Sequence, residues 1–307
     1  MNSPEPNSSD STDSSENSAG SPSAADNARE RDYEVALFAD GKLQSRQDQV
    51  VVEEPVEIRI VFGPTAKRTM RNVSITMRTP GHDQELAAGF LLTESILTSP
   101  DQIEGFQIRG VDSTGQVTGN IVRVDVKPDV ELELGRLQRH FFTTSSCGVC
   151  GKASLDALEV QGLKPITEDG FQIQTRAISM VPEALRAQQA TFQRTGGLHG
   201  AGLVDRNGQL VASREDVGRH NAVDKLIGRY FLDGRTPLAE YAMVVSGRVS
   251  FEIMQKALVG GVPMIIAVGA PSSLAIDMAR QYNMTLIGFA SESRFYVYAG
   301  ASRVVQS

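Results

Sequence analysis

The stretch YAMVVSGRVSFEIMQKALVGGVPMIIAVGAPSSLAIDMARQYNMTLIGFA, residues 241–290, decides the fold. Its three apolar runs YAMVVSG, PMIIAVG and MTLIGFA read as buried strands, and the segments EIMQKALVG and SSLAIDMARQY between them read as helices. RFYVYAG, residues 294–300, adds one more strand. Strands that alternate with helices predict a mostly parallel or mixed sheet covered by helices. Working back along the chain, NAVDKLIGRYFL places Val223, Leu226, Ile227, Tyr230 and Phe231 on one helical face, with Asn221 and Asp224 at N-cap and N3. PEALRAQQATFQRTGG reads as a helix that starts at Pro182 and stops at Gly196-Gly197.

The first half has a different texture. VEIRIVF (56–62), NVSITMR (72–78) and IVRVDV (121–126) alternate as strands, with Val122, Val124 and Val126 on one face. DQELAAGFLLTESIL, after the Pro80-Gly81 turn, carries Leu86, Ala87, Phe90, Leu91 and Leu97 as the inner face of a helix. Residues 1–31 are dominated by Ser, Asn, Asp, Glu, Pro and Gly and lack the apolar side chains that would offset ordering, so they read as a disordered tail. The expected fold is therefore α/β, or α+β overall, with an N-terminal α+β subdomain over 32–135 and a larger α/β subdomain over 136–307.

Composition narrows the function. The chain has 307 residues and a formal net charge of −7, and its first 28 residues hold five acids and no Lys or Arg, so the body is close to neutral. That argues against nonspecific nucleic-acid binding, which needs a basic footprint. No apolar run approaches the roughly 20 residues that cross a bilayer, and a secretory signal is not evident, so a cytoplasmic protein is expected. Two cysteines cannot make a disulfide framework.

Those two cysteines stand three apart, as Cys147-Gly148-Val149-Cys150 in TTSSCGVCGKA. The Thr, Ser and Gly around them lack apolar periodicity, which suggests an exposed loop. CxxC pairs commonly have one thiol shifted from about 8.5 into the range of roughly 3.5–7.5, where the thiolate is a nucleophile. A structural pair, a thioredoxin-like couple and a persulfide relay all stay open on these residues. Zinc-water hydrolysis is disfavoured, because a deaminase site pairs P-C-x-x-C with H-x-E, and H-x-E does not occur here.

Other polar clusters fall at predicted strand ends. SREDVGRHNAVDKL gathers Arg214, Glu215, Asp216, Arg219 and His220 before a helix, where an anion or an ion-paired cap would equally fit. VVSGRVSFE and AVGAPSSLA run from strand through small residues into helix, a geometry that lets backbone approach phosphate. His199 in TGGLHGAGLV reads first as a packed or turn histidine. RFYVYAG sets Phe295 and Val297 on one face and Tyr296 and Tyr298 on the other, where a ring system could stack.

Together SSCGVCGKASLDAL, TGGLHGAGL, REDVGRHNAVDKLIG, VSGRVSFEIMQKA and GAPSSLAIDMA resemble the formate dehydrogenase accessory sulfurtransferase family, FdhD, from about Tyr33 to the C-terminus. The resemblance implies a cytidine-deaminase-like fold without the deaminase zinc chemistry, and hence no metal of its own. It implies a sulfurtransferase that takes sulfur from a cysteine desulfurase and delivers it to the Mo-bis(molybdopterin guanine dinucleotide) cofactor needed by formate dehydrogenase. Cys147 would carry the persulfide and Cys150 would serve as relay or helper. The cofactor, including its guanine-nucleotide part, would lie on Phe295, Tyr296, Val297, Tyr298, Ala299 and Gly300, and the assembly would be a homodimer. A cofactor-binding chaperone that transfers no sulfur is the competing expectation, separated from the first by whether the cysteines are needed.

Overall fold

The computed structural model describes residues 29–111, 117–132, 163–167 and 170–306. Cys147, Cys150 and the helix expected after them lie outside the described residues, as do residues 1–28 of the expected tail.

The chain opens with a hairpin, β1 (Glu30–Ala39) and β2 (Lys42–Val51). The first two residues of β1 fall inside the stretch read from composition as tail. Composition averages over a window, whereas Glu30 is fixed individually by an ion pair to Arg194. Next come β3 (Glu54–Phe62), β4 (Thr69–Arg78), β5 (Ile103–Val111) and β6 (Val117–Val126), in a four-stranded sheet ordered β4-β3-β6-β5. Alternation dictates its inner face: Val56, Ile58, Ile60, Val122, Val124 and Val126 are all fully buried. Helix α1 (Asp83–Thr93) follows β4 and buries Leu86, Ala87 and Leu91. It ends four residues short of Leu97, yet Leu97 stays buried because its N–H and that of Ile96 both turn back to the Leu91 carbonyl.

The second half starts with β7 (Ile173–Gln174), α2 (Thr175–Gln188) and α3 (Ala190–Thr195). Pro182 lies inside α2 and does not start it. The turns before it bury Ile178 and Val181, at about 1.5–3 kcal/mol each, which offsets the roughly 3 kcal/mol of an interior proline. The expected stop at Gly196 is present, with φ of 67°. Then β8 (His199–Val204), β9 (Leu210–Asp216), α4 (Arg219–Leu232), β10 (Ala242–Val245), α5 (Phe251–Val259), β11 (Met264–Ala267), α6 (Ser273–Gln281), β12 (Thr285–Gly288) and β13 (Tyr296–Ala299) complete the six-stranded sheet, ordered β13-β12-β11-β10-β8-β9. β10, β11 and β12 run parallel and are buried throughout, as expected from residues 241–290. β8 and β13 run antiparallel to their neighbours, so the sheet is mixed. A last strand, β14 (Val304–Val305), pairs with β7.

One face of the six-stranded sheet packs on α2 through Val204, Val244, Ile266, Ile178 and Leu185. The other faces α4, α5 and α6 and shares a single core with α1 and the four-stranded sheet. The junction is α1 against α4, where Gly89 meets Gly228. A Cβ on Gly89 would stand 1.9 Å from the Asp224 carbonyl oxygen, and one on Gly228 would stand 1.9 Å from that of Glu85. The two helices therefore touch backbone to backbone, which sets the distance between the sheets.

Candidate functional site

The carboxyl ends of β9, β10, β11 and β12 and the amino ends of β8 and β13 all reach one edge of the six-stranded sheet. Ligands of open α/β sheets bind outside such an edge, and the start of α4 shows how this one is built.

Asp216 ends β9 with its side chain fully buried, 2.7 Å from the Lys225 ammonium. The N–H groups of Thr79 and Gly218 and the Asn221 amide all donate to its carboxylate. Lys225 also donates to the Thr79 carbonyl, and Asn221 to that of Met77. Burial pushes the Lys225 ammonium below its ordinary value, against the pull of Asp216. A second hub joins three helices: Lys256 of α5 donates to Asp224 of α4 at 2.9 Å, to Thr93 of α1 at 2.9 Å and to Glu94 at 3.2 Å. Burial raises Asp224, whereas at Lys256 the attraction of Asp224 and Glu94 outweighs burial and raises the ammonium. Asn221 and Asp224 are thus not the helix cap. Gly218 holds the cap position, and the two side chains expected to cap are drawn into contacts with residues more than 130 positions away.

Arg214 and Glu215 of the 213–220 cluster are also committed. Arg214 forks onto Glu85 with contacts of 2.5 and 2.7 Å. Burial would raise Glu85, but hydrogen bonds from Arg214 and His82 outweigh it and hold the carboxyl at about 2. Glu215 accepts from the N–H groups of Thr191 and Phe192 at the start of α3. Of the five residues read as an anion site, three therefore build the frame, and Arg219 and His220 are left to the sheet edge.

There the Arg219 Nε is buried and meets no hydrogen-bond partner among the described residues. His199 lies beside it: His199 Nδ1 is 3.4 Å and Arg219 Cδ 3.9 Å from the point where a Cβ would stand on Gly247. Burial first, then Arg219, holds His199 below the usual histidine range. His220 is pushed down to about 4 by burial, then by Lys256 and Arg219. Its Nε2 is 3.5 Å from the Ser250 hydroxyl, and Ser250 also hydrogen-bonds Glu252. Both imidazoles are therefore neutral at pH 7, next to a guanidinium.

The two strand-to-helix loops expected to suit a phosphate are laced together. Gly269 donates to the Gly247 carbonyl, Val249 to Ala270 and Ser272 to Val249. A Cβ on Gly269 would fall 2.8 Å from the Gly247 carbonyl oxygen, so only glycine permits this approach. Across the edge stands an aromatic group. Phe289, in a left-handed conformation with φ of 52°, sets its ring edge-on to Tyr296 at 5.7 Å, and Tyr298 lies 6.4 Å beyond. Phe289 is 44% exposed and Tyr296 50%.

The segment 295–300 runs along the whole of β13. Phe295 and Val297 pack into the core against α2, while Tyr296 and Tyr298 take the opposite face, as the alternation indicated. Ala299 is buried, and Gly300 lies at the far end against Met284 and Thr285. The stretch thus brings Tyr296 and Tyr298 to the edge and leaves Gly300 about 13 Å away along the strand, four residues at about 3.3 Å each. Sequence reading named Arg219, His220 and the tyrosines but missed Phe289, Ser250 and Glu252. The usable signal was position: each follows directly on a buried parallel strand or starts the next helix. Among the described residues no group of three or more His, Cys, Asp or Glu is placed to hold a metal ion, and no helix is long and apolar enough to cross a membrane.

The FdhD/NarQ family profile matches residues 51–305. The chain belongs to the FdhD/NarQ family. It is 46% identical to the sulfur carrier protein FdhD of Streptomyces coelicolor, an alignment covering 88% of this chain and 94% of that one. The FdhD of Mycobacterium tuberculosis is 42% identical over 85% of this chain and 93% of its own length. That of Saccharolobus solfataricus is 36% identical, with 90% and 98% covered. Among solved structures, a candidate formate dehydrogenase accessory protein from Desulfotalea psychrophila superposes with a TM-score of 0.66 at 22% identity, covering 90% of this chain and all of that one. The FdhD fold is thus the mixed α+β architecture described above.

Proposed function

We propose that this FdhD-family chain is a sulfur carrier that accepts sulfur from a cysteine desulfurase on Cys147 and delivers it to the Mo-bis(molybdopterin guanine dinucleotide) cofactor for formate dehydrogenase. The observation that carries the reading is the pairing of a family named for sulfur carriage with a chain whose only two cysteines form CxxC.

The chemistry balances with these two thiols. The Cys147 thiolate attacks the outer sulfur of the donor's persulfide, the donor S–S bond breaks, and the donor cysteine leaves as thiolate. Cys147 now carries the sulfane sulfur. Attack by the Cys150 thiolate on the inner sulfur then forms a Cys147–Cys150 disulfide and releases the terminal sulfur as hydrosulfide, the two thiols supplying both electrons. A thiol reductant must reset the pair before the next round.

The sheet edge suits the cofactor as substrate. The guanine ring would stack on the Tyr296–Tyr298 face, with Phe289 bounding it, and the diphosphate would meet the glycine-rich loops and Arg219. Neutral His199 and His220 would offer ring nitrogens as hydrogen-bond partners at this edge without adding positive charge.

Incubating the protein with a desulfurase and cysteine should add one sulfur, about 32 Da, seen by mass spectrometry. Cys147→Ala should abolish both this adduct and activation of formate dehydrogenase. Full activation by that variant would instead establish a chaperone. Calorimetry should show GDP binding in preference to ADP, and a Tyr296→Ala variant should lose the preference.

A further inference from the structure

A cavity of about 200 Å³ opens where the root of the β1–β2 hairpin, α3 and β9 meet. Arg29, Arg194 and Arg214 line it, together with His82 and Glu215. Three guanidinium groups around one small hollow repel one another, and each calls for a counter-charge.

Two of the three have one. Arg194 forks onto Glu30, with its Nε 2.9 Å from both carboxylate oxygens. Arg214 forks onto Glu85, which the His82 Nδ1 also approaches at 3.4 Å. Glu215, the remaining carboxylate of the lining, spends its oxygens on the N–H groups of Thr191 and Phe192. Arg29 is left with the Glu215 backbone carbonyl, 3.4 Å from its Nη2. Its Nε is buried and meets no partner among the described residues, and no carboxylate there pairs with it. The deficit reaches the frame behind it, where Arg29, after burial, helps to push the Lys225 ammonium down.

Size and lining say what would supply the missing charge. The hollow falls below the roughly 300–1,000 Å³ of pockets that take drug-sized molecules. No Phe, Tyr or Trp lines it for a base to stack on. Water offers lone pairs but no charge, whereas a guanidinium fork matches the oxygens of an oxyanion two at a time.

We propose that this cavity binds a small oxyanion of the phosphate or sulfate type, held chiefly by Arg29 through its Nε–H and a terminal N–H. The Arg29 carbonyl accepts from Val52 at the end of the hairpin, and Glu215 is the penultimate residue of β9. The ion therefore fastens the hairpin root to the six-stranded sheet. The site uses none of the residues assigned to sulfur or to the cofactor and stands apart from that reading.

Inorganic phosphate titrated into the full chain, against chloride at equal ionic strength, should give saturable heat and raise the melting temperature by mass action. The Arg29 Nε–H resonance should shift and saturate over the same concentrations. Arg29→Gln should weaken binding about tenfold or more, the worth of a hydrogen bond to a charged group. Ala190 lines the cavity from an exposed position at the start of α3. Ala190→Glu, which tethers a carboxylate at the mouth, should fold normally and abolish the phosphate response, while Ala190→Gln should keep most of it. Arg219→Gln at the sheet edge should leave the Arg29 shift intact, which separates this site from the diphosphate contacts proposed there. Glycerol 3-phosphate binding as well as inorganic phosphate would assign the end group of a larger molecule, and its exclusion the free ion; either supports the oxyanion. If Arg29→Gln does not fold, Ala190→Glu and the Arg29 resonance decide. No saturable phosphate-specific effect, a response that survives Ala190→Glu, or an unmoved Arg29 resonance at saturation would overturn the proposal.

Discussion

Residues 216–225 start one helix yet serve two regions that treat polar groups in opposite ways. On the inner side Asp216, Asn221, Asp224 and Lys225 are buried and knit into hydrogen bonds with Met77, Thr79, Thr93 and Lys256. On the outer side Arg219 keeps a buried Nε unmatched among the described residues, and His199 and His220 are held neutral beside it. Satisfied buried charges join pieces of a fold, whereas unmatched ones at a sheet edge are what a ligand can complete. Composition alone does not separate the two roles, since both sides use the same kinds of residue.

The comparison breaks first if the inner side is not rigid. Gly228→Val should cost more than about 4 kcal/mol or leave no soluble protein, because the side chain would overlap backbone of α1. A normal urea midpoint for that variant would mean that the helices can part. Next, Lys225→Met leaves the Asp216 carboxylate buried without its counter-ion and should cost about 3–5 kcal/mol. Adding Asp216→Asn should recover part of that loss in the same unfolding assay, and no recovery would remove the ion pair from the account.

Glu85 sharpens the comparison through pH. Its carboxyl is depressed from 4.5 to about 2 in the folded chain, so the stability it contributes is present above pH 4.5 and is lost as pH falls towards 2. Glu85→Gln should therefore cost about 1 kcal/mol at pH 7 after allowance for solvent screening. The gap from the parent should close on acidification, and a gap independent of pH would show that charge is not its source.

The smallest effects belong to the outer side. Arg219→Gln should change stability by no more than about 0.5 kcal/mol. His220 is depressed from 6.5 to about 4, so the fold favours its neutral form and its contribution fades as pH drops through that window. Removing the Arg219 charge should move the His220 titration upwards, readable from its ring proton shifts. A large loss of stability in Arg219→Gln would place that residue with the frame.

The parallel core was legible because its information is local: residues 241–290 carry each strand and helix in a few contiguous apolar positions. Misreadings came where local signals have tertiary uses. Asn221 and Asp224 look like a cap because caps use short polar side chains, and so do buried links between elements. Pro182 looks like a helix start because the burial of Ile178 and Val181 that tolerates it depends on a distant sheet. At the site, the tyrosines of β13 followed from alternation. The meeting of His199, Arg219 and Gly247 could not, since strand order brings it about across residues far apart in the chain.

The Gly89–Gly228 contact also has a mechanical meaning. Helices separated by side chains can slide past one another by small rotamer adjustments, the shear that many two-part proteins use to open and close. Here no side chain intervenes to act as a bearing, and carbonyl oxygens of each helix press on the other's backbone. The two sheets are consequently clamped like plates on one bolt. Gripping a substrate by moving one plate against the other is opposed by that contact, so among the described residues adjustment falls to the loops at 246–250, 268–272 and 289–295.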